Sequence, residues 1–230
     1  MRSWNELELT GRTRTHVQQS QQPRFAATPD TLRAFLALRD AAAKDGFDLA
    51  VFSSFRDFHT QKRIWIRKLT GERPLYDEHG QIRDRAQLTE QQIVRHIFDW
   101  SALPGASRHQ WGTEIDVFDK RAIPDGYRVQ LLPAEVAPGG VFYALHQWLD
   151  EHIRDFGFFR PYKYYRGGMF AEPWHLSFAP ESLQAIKQLS LPMLQRLIIL
   201  SDLPGKHIVL PMLPELFQQH ILNIVSPDEQ

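Results

Sequence analysis

The chain predicts an α+β fold: a small antiparallel sheet with helices packed on one side, plus a C-terminal helical extension. Three observations predict it. Short apolar or alternating runs that suit strands recur at 49–53, 114–119 and 175–178, and the segments between them carry helical spacing. A length of 230 residues fits one elaborated domain as readily as two small ones. From Pro180 to Val225 the sequence is rich in Leu and Ile but broken by Pro192, Pro204, Pro211 and Pro214, as several short helices would be.

The elements follow in order. Residues 1–27 are polar and Gln-rich and read as an arm or short strand packed on the domain. Thr28-Pro29-Asp30 opens a helix with Thr28 as N-cap and Pro29 at the first helical position; Leu32, Phe35, Leu36 and Leu38 form its stripe and Gly46 ends it. Leu49 to Ser53 suits a buried strand, and Phe58 to Leu69 returns to helical spacing. Residues 70–88 read as a long polar excursion with room for a lid. Thr89 and Gln92 form a capping-box pattern for a helix through Trp100. Glu114 to Asp119 alternates as a half-buried strand, Val141 to Phe156 forms one amphipathic helix, and His175 to Phe178 is a further strand.

Composition narrows the chemistry. Lys plus Arg balance Asp plus Glu at 27 each, which speaks against a nucleic-acid or acidic-membrane partner held by bulk charge. There are no cysteines, so disulfides and thiolate metal sites are excluded and His, Asp and Glu are the strong ligands left. The N-terminal segment has no apolar run of signal-peptide type and no stretch has transmembrane length, so the expectation is a cytoplasmic protein without a membrane partner.

Two segments carry chemistry. In Ser107 to Asp116 a His on a loop, His109, precedes an Asp on a strand, Asp116, with Gly112 allowing the turn between them. In Glu172-Pro173-Trp174-His175 a second His lies at the mouth of a strand, three residues after a carboxylate. Two His and one Asp leave the fourth position of a tetrahedral zinc open to water, the arrangement of catalytic sites. Glu172 then serves as the base; Pro173 holds it extended, unlike a helical H-E-x-x-H site. His16, His59, His79, His96, His146, His152, His207 and His220 read as ordinary surface or core residues, and Trp111 and Trp174 as core walls beside the ligands.

The pattern SxHxxGxxxD followed by ExxH resembles the signature of the VanY-like D-alanyl-D-alanine carboxypeptidases, relatives of lysostaphin-type peptidases and hedgehog domains. Ser53-Ser54-Phe55-Arg56-Asp57 with Gln61 resembles that family's SGYRS motif and its downstream Gln, and the likeness spans roughly residues 28–180, leaving 181–230 as an extension packed on the same domain. The resemblance implies zinc on His109, Asp116 and His175, base catalysis by Glu172, oxyanion or substrate stabilisation by Arg56, and a terminal carboxylate held by Ser107 and Gln61. This chain departs from the family at Ser54, Phe55 and Asp57, and at Thr113-Glu114, where small apolar residues are commoner.

The implied substrate is a peptidoglycan peptide losing its terminal D-alanine. The absent leader favours an L,D-carboxypeptidase converting tetrapeptides to tripeptides in murein recycling, because a cytoplasmic D,D-enzyme would destroy the pentapeptide precursor. The alternatives are a D,D-carboxypeptidase or D-Ala-D-Ala dipeptidase, and a non-catalytic hedgehog-like metal-binding module.

Overall fold

The structure is a computed structural model, and it describes residues 2–230. Asn5 and Glu8 form a capping box around one helical turn, α1 (Glu6–Leu9). A hairpin of β1 (Gln18–Gln21) and β2 (Arg24–Ala27) then carries Phe25 and Ala27 into the core. The N-terminal segment, read as an arm or short strand, thus holds a helical turn and a hairpin whose second strand is buried.

The Thr28 hydroxyl accepts the Thr31 N–H and starts α2 (Pro29–Lys44), which buries Phe35, Leu38 and Ala42. After β3 (Leu49–Ser53), Asp57 caps α3 (Phe58–Leu69), taking the Thr60 N–H at 2.7 Å. The Thr89–Gln92 capping box forms as its spacing predicts, and α4 (Glu90–Phe98) ends two residues before Trp100. Beyond β4 (Glu114–Asp119) come a helical turn α5 (Pro133–Val136), then α6 (Tyr143–His152). The single helix expected over 141–156 is shorter than that: a 3-10 turn, Ile153–Phe156, follows α6 and ends at Gly157 with φ 78°. β5 (Phe158–Phe159), β6 (His175–Phe178), α7 (Ala179–Gln188), α8 (Leu191–Leu200) and α9 (Lys206–Leu216) complete the chain, with a π-helical turn at Phe217–Leu222.

The main sheet is antiparallel in the order β3-β4-β6-β5. β4 is buried almost throughout rather than half-buried, because β3 and β6 flank it and both its faces are covered. One face packs Leu49, Ile115, Val117 and Leu176 against Phe35, Leu38, Leu145 and Leu149 of α2 and α6. A second core joins Trp65 of α3 and Ile97 of α4 to Leu194, Leu213 and Phe217 of the C-terminal helices. Between this second core and the polar face of the sheet runs a cleft. The polar excursion at 70–88 has one isolated bridge, Tyr76–Ile82, and a 3-10 turn at Arg85–Gln87. Among the described residues no helix is long and apolar enough to cross a membrane.

Candidate metal centre

Strand periodicity builds the centre. On β4, Ile115 and Val117 enter the core, so Glu114 and Asp116 face the cleft together. On β6, Leu176 enters the core and leaves His175 and Ser177 on the cleft face. The antiparallel register sets Asp116 directly opposite His175 and Glu114 opposite Ser177. His109 arrives from the 3-10 turn Arg108–Trp111, which stops at Gly112 with φ 69°. A Cβ at Gly112 would sit 2.4 Å from Val17 Cγ1 in a left-handed backbone, so this turn requires glycine.

His109, Asp116 and His175 offer one donor atom each within 4.8 Å of one another. Their hydrogen bonds set the direction of each imidazole. The Ser54 carbonyl can only accept, so His109 Nδ1–H donates to it at 2.8 Å and the Nε2 lone pair faces Asp116 Oδ2 at 3.3 Å. Glu114 accepts from His175 Nε2–H at 2.7 Å, which turns His175 Nδ1 towards Asp116 Oδ1 at 3.0 Å. Two imidazole nitrogens and a carboxylate therefore converge on one point that a cation suits. Nitrogen and oxygen donors without thiolate fit zinc, and each histidine has the second partner that metal-bound histidines use.

Burial dominates the electrostatics. His109 is pushed down to about 4, first by burial and then by the Arg56 guanidinium, so it is neutral and ready to ligate at neutral pH. Burial opposes ionisation of Asp116, but His109 and His175 together hold its carboxyl well below the usual range. His175 is raised to about 9 because its bonds to Asp116 and Glu114 outweigh burial. Glu172, whose Oε2 lies 3.7 Å from His175 Nδ1, is pushed up to about 7 by burial, against the pull of His175, Arg56 and Lys68. Such a value suits a group that takes and returns a proton near neutrality.

The cleft measures about 530 Å³, and Arg56, Ser107, His109, Asp116, Glu172 and His175 all line it. Arg56 is fixed through its backbone N–H to the His109 carbonyl at 3.2 Å, while its buried Nε has no partner. Gln61 lies elsewhere: it is buried behind the lining, and its amide donates to the Ala102 carbonyl at 2.8 Å. Trp111 is a core wall whose Nε1–H meets the Leu9 carbonyl at 3.1 Å. Trp174 lines the cleft and stacks on Trp100 with ring centroids 6.0 Å apart.

Four cleft-side groups escape a motif reading: Glu114, Arg108, Lys68 and Tyr162. Glu114 had a signal, since it sits two residues before Asp116 on a strand. Arg108 pairs with Glu114 at 3.2 Å in full burial. The Tyr162 ring packs 5.2 Å from that of His175, and nothing local in its sequence foretells it.

Comparison with known proteins shows what the chain resembles. The family model for VanY, D-alanyl-D-alanine carboxypeptidase, matches residues 25–181. An uncharacterized protein of Haemophilus influenzae is 32% identical over 127 residues, covering 54% of this chain and 97% of the relative. A D-alanyl-D-alanine carboxypeptidase of Enterococcus faecalis is 29% identical over 144 residues, 61% of this chain and 44% of that protein. The fold is similar to VanYB in complex with D-alanine-D-alanine (22% identity, TM-score 0.52, covering 80% of this chain and 89% of that one). It is also similar to a variant of the vancomycin-resistance D,D-pentapeptidase VanY in complex with Zn(II), with 24% identity, TM-score 0.51, and 74% and 82% of the two chains covered.

Proposed function

The chain belongs to the VanY family of D-alanyl-D-alanine carboxypeptidases, and from that premise we propose that it is a zinc carboxypeptidase releasing the terminal D-alanine of peptidoglycan-derived peptides. The observation that carries this reading is the convergence of His109 Nε2, His175 Nδ1 and the Asp116 carboxylate beside Glu172. In this reading His109, Asp116 and His175 hold the metal. Bound zinc supplies Lewis acidity, which activates water and polarises the scissile carbonyl.

The chain's own residues do the rest. Glu172 accepts a proton from the attacking water and delivers it to the leaving amine. Arg56, with unused donors, faces negative charge developing on the carbonyl oxygen. Ser107 lines the same cleft within the substrate's path. The presence of Glu172 beside the donor set supports catalysis over a purely metal-binding module, which needs no base. We place residues 28–180 as the catalytic body, with 1–27 and 181–230 packed on it as one folding unit.

Glu172→Gln tests the mechanism. The variant is expected to stay folded with one zinc per chain by elemental analysis, while turnover falls by roughly 10²- to 10⁴-fold. Unchanged turnover in a zinc-loaded variant rejects Glu172 as the base.

The finer assignment is L,D specificity, with tetrapeptides trimmed to tripeptides. Mass analysis after incubation with a muropeptide tetrapeptide and with the pentapeptide precursor tests it. Cleavage of the pentapeptide alone replaces it with D,D activity, and free D-Ala-D-Ala as the best substrate replaces it with dipeptidase activity.

A further inference from the structure

The buried stripe of α3 runs through Phe58, Gln61, Trp65 and Lys68. Three of these suit an interior; an ammonium does not. Lys68 is nevertheless only 9% exposed, and it lines the cleft. Its Nζ donates to Ser101 Oγ at 2.6 Å, which uses one of its three donors. Lys68 shares the lining of this cleft with Glu172; burial lowers its pKa to about 8, with Glu172 acting in the opposite sense.

Among the described residues no carboxylate forms a salt bridge with Lys68, and those nearby are engaged elsewhere. Glu72 pairs with Arg67, Asp99 with Arg83 and His96, and Glu114 with Arg108 and His175. Arg73, one turn beyond α3, also lines the cleft from its exposed rim, and among the described residues neither it nor Arg56 nor Lys68 has a salt-bridge partner. The cleft thus holds an excess of unpaired cations in addition to any metal.

We infer that Lys68, with Arg73 at the rim, anchors the C-terminal carboxylate of the peptide, the role that the motif resemblance implied for Gln61. Gln61 is one helical repeat earlier on the same face of α3 but spends its amide on the Ala102 carbonyl. A buried lysine two turns further along the same face supplies the charge that a carboxylate needs to leave water, and it acts as a specificity-determining residue. The inference rests on the carboxypeptidase reading of this cleft.

The test compares a D-alanine-terminated peptide with the same peptide ending in a primary amide, using zinc-loaded protein. Wild type is expected to prefer the acid by at least tenfold in kcat/KM. Lys68→Met is expected to raise KM for the acid at least tenfold, to move kcat less than threefold, and to erase the preference; Lys68→Arg restores part of it. Arg73→Gln, on the exposed rim, lowers the preference at least threefold and serves if the methionine variant does not fold. A preference left intact in either folded variant overturns the assignment.

If wild type hydrolyses no peptide, the proposed function has failed, and binding judges the anchor separately. Calorimetric titration with acetyl-D-alanine and its amide should show an acid preference in wild type that Lys68→Met loses. An equal preference in the two proteins means that the metal or Arg56 holds the carboxylate and overturns the inference.

Discussion

A carboxylate on a central strand, out of contact with water, is costly unless its lone pairs find donors. Glu114 finds four: Arg108, Thr113 and Ser177 on one oxygen and His175 Nε2–H on the other. Arg108 and His175 hold its carboxyl near the bottom of the usual range, at about 2, despite the burial that opposes ionisation. Glu114 therefore fixes which nitrogen His175 presents at the centre. Glu114→Gln keeps the shape but removes the charge that pins the tautomer. Zinc affinity, measured by competition with a chelator, is expected to fall by roughly 10- to 100-fold. An unchanged affinity would show that the ring is oriented by packing alone. The departure from small apolar residues at Thr113-Glu114 is thus an addition to the centre, and motif matching treats it as noise because it compares positions one at a time.

At the scale of elements, the C-terminal helices explain how a loop can hold the Glu172 carboxylate, the proposed base, still. The segment between β5 and β6 carries Tyr162 and Glu172, and the Glu172 N–H donates to the Tyr162 carbonyl at 2.8 Å. The chain end braces that segment: the Val225 N–H reaches the Pro161 carbonyl at 2.9 Å, and Arg166 pairs with Glu229 at 2.8 Å. Gly168 lies flush against the π-helical turn, where an added Cβ would stand 1.9 Å from the Gln219 carbonyl oxygen. Gly168→Ala must push the two apart. It is expected to cost about 1–3 kcal/mol, read as a lower denaturant midpoint with unchanged slope, and to lower turnover by displacing Glu172. A variant with wild-type midpoint and turnover would show that the brace is slack. Short helices were legible here from Pro192 and Pro204, but Pro211 and Pro214, read as breaks, lie inside α9; the task of these helices was not legible, because it lies in contacts between residues some sixty positions apart.

Across the whole molecule, a buried histidine outside the metal centre makes acid sensitivity partly independent of that centre. His146 on α6 is 4% exposed beside the buried Arg160, and its Nε2 has no partner. Burial first, and the Arg160 guanidinium second, push it down to about 3 from an ordinary 6.5. Between those values the unfolded chain binds more protons than the folded one, so this group lowers stability as pH falls from about 6.5 towards 3 and has no effect above. Its slope is at most about 1.4 kcal/mol per pH unit. Melting temperatures of wild type and His146→Gln at pH 7.5 and 5.5 separate this from acid release of metal, since both proteins keep the centre. Wild type is expected to lose more on acidification; parallel losses contradict the assignment.

The sequence by itself determined the donor types, their order along the chain and the strand period that puts Glu114 with Asp116 and His175 with Ser177 on one face. These are local properties: side-chain chemistry, a two-residue alternation and a glycine where φ is positive. Tertiary structure alone decided which imidazole nitrogen points inward, that Gln61 turns to Ala102 while Lys68 reaches the cleft, and that the chain's end braces the Glu172 loop. The reason is physical. Burial and hydrogen-bond competition depend on which distant segments meet, and a motif records spacing without recording what its residues are packed against.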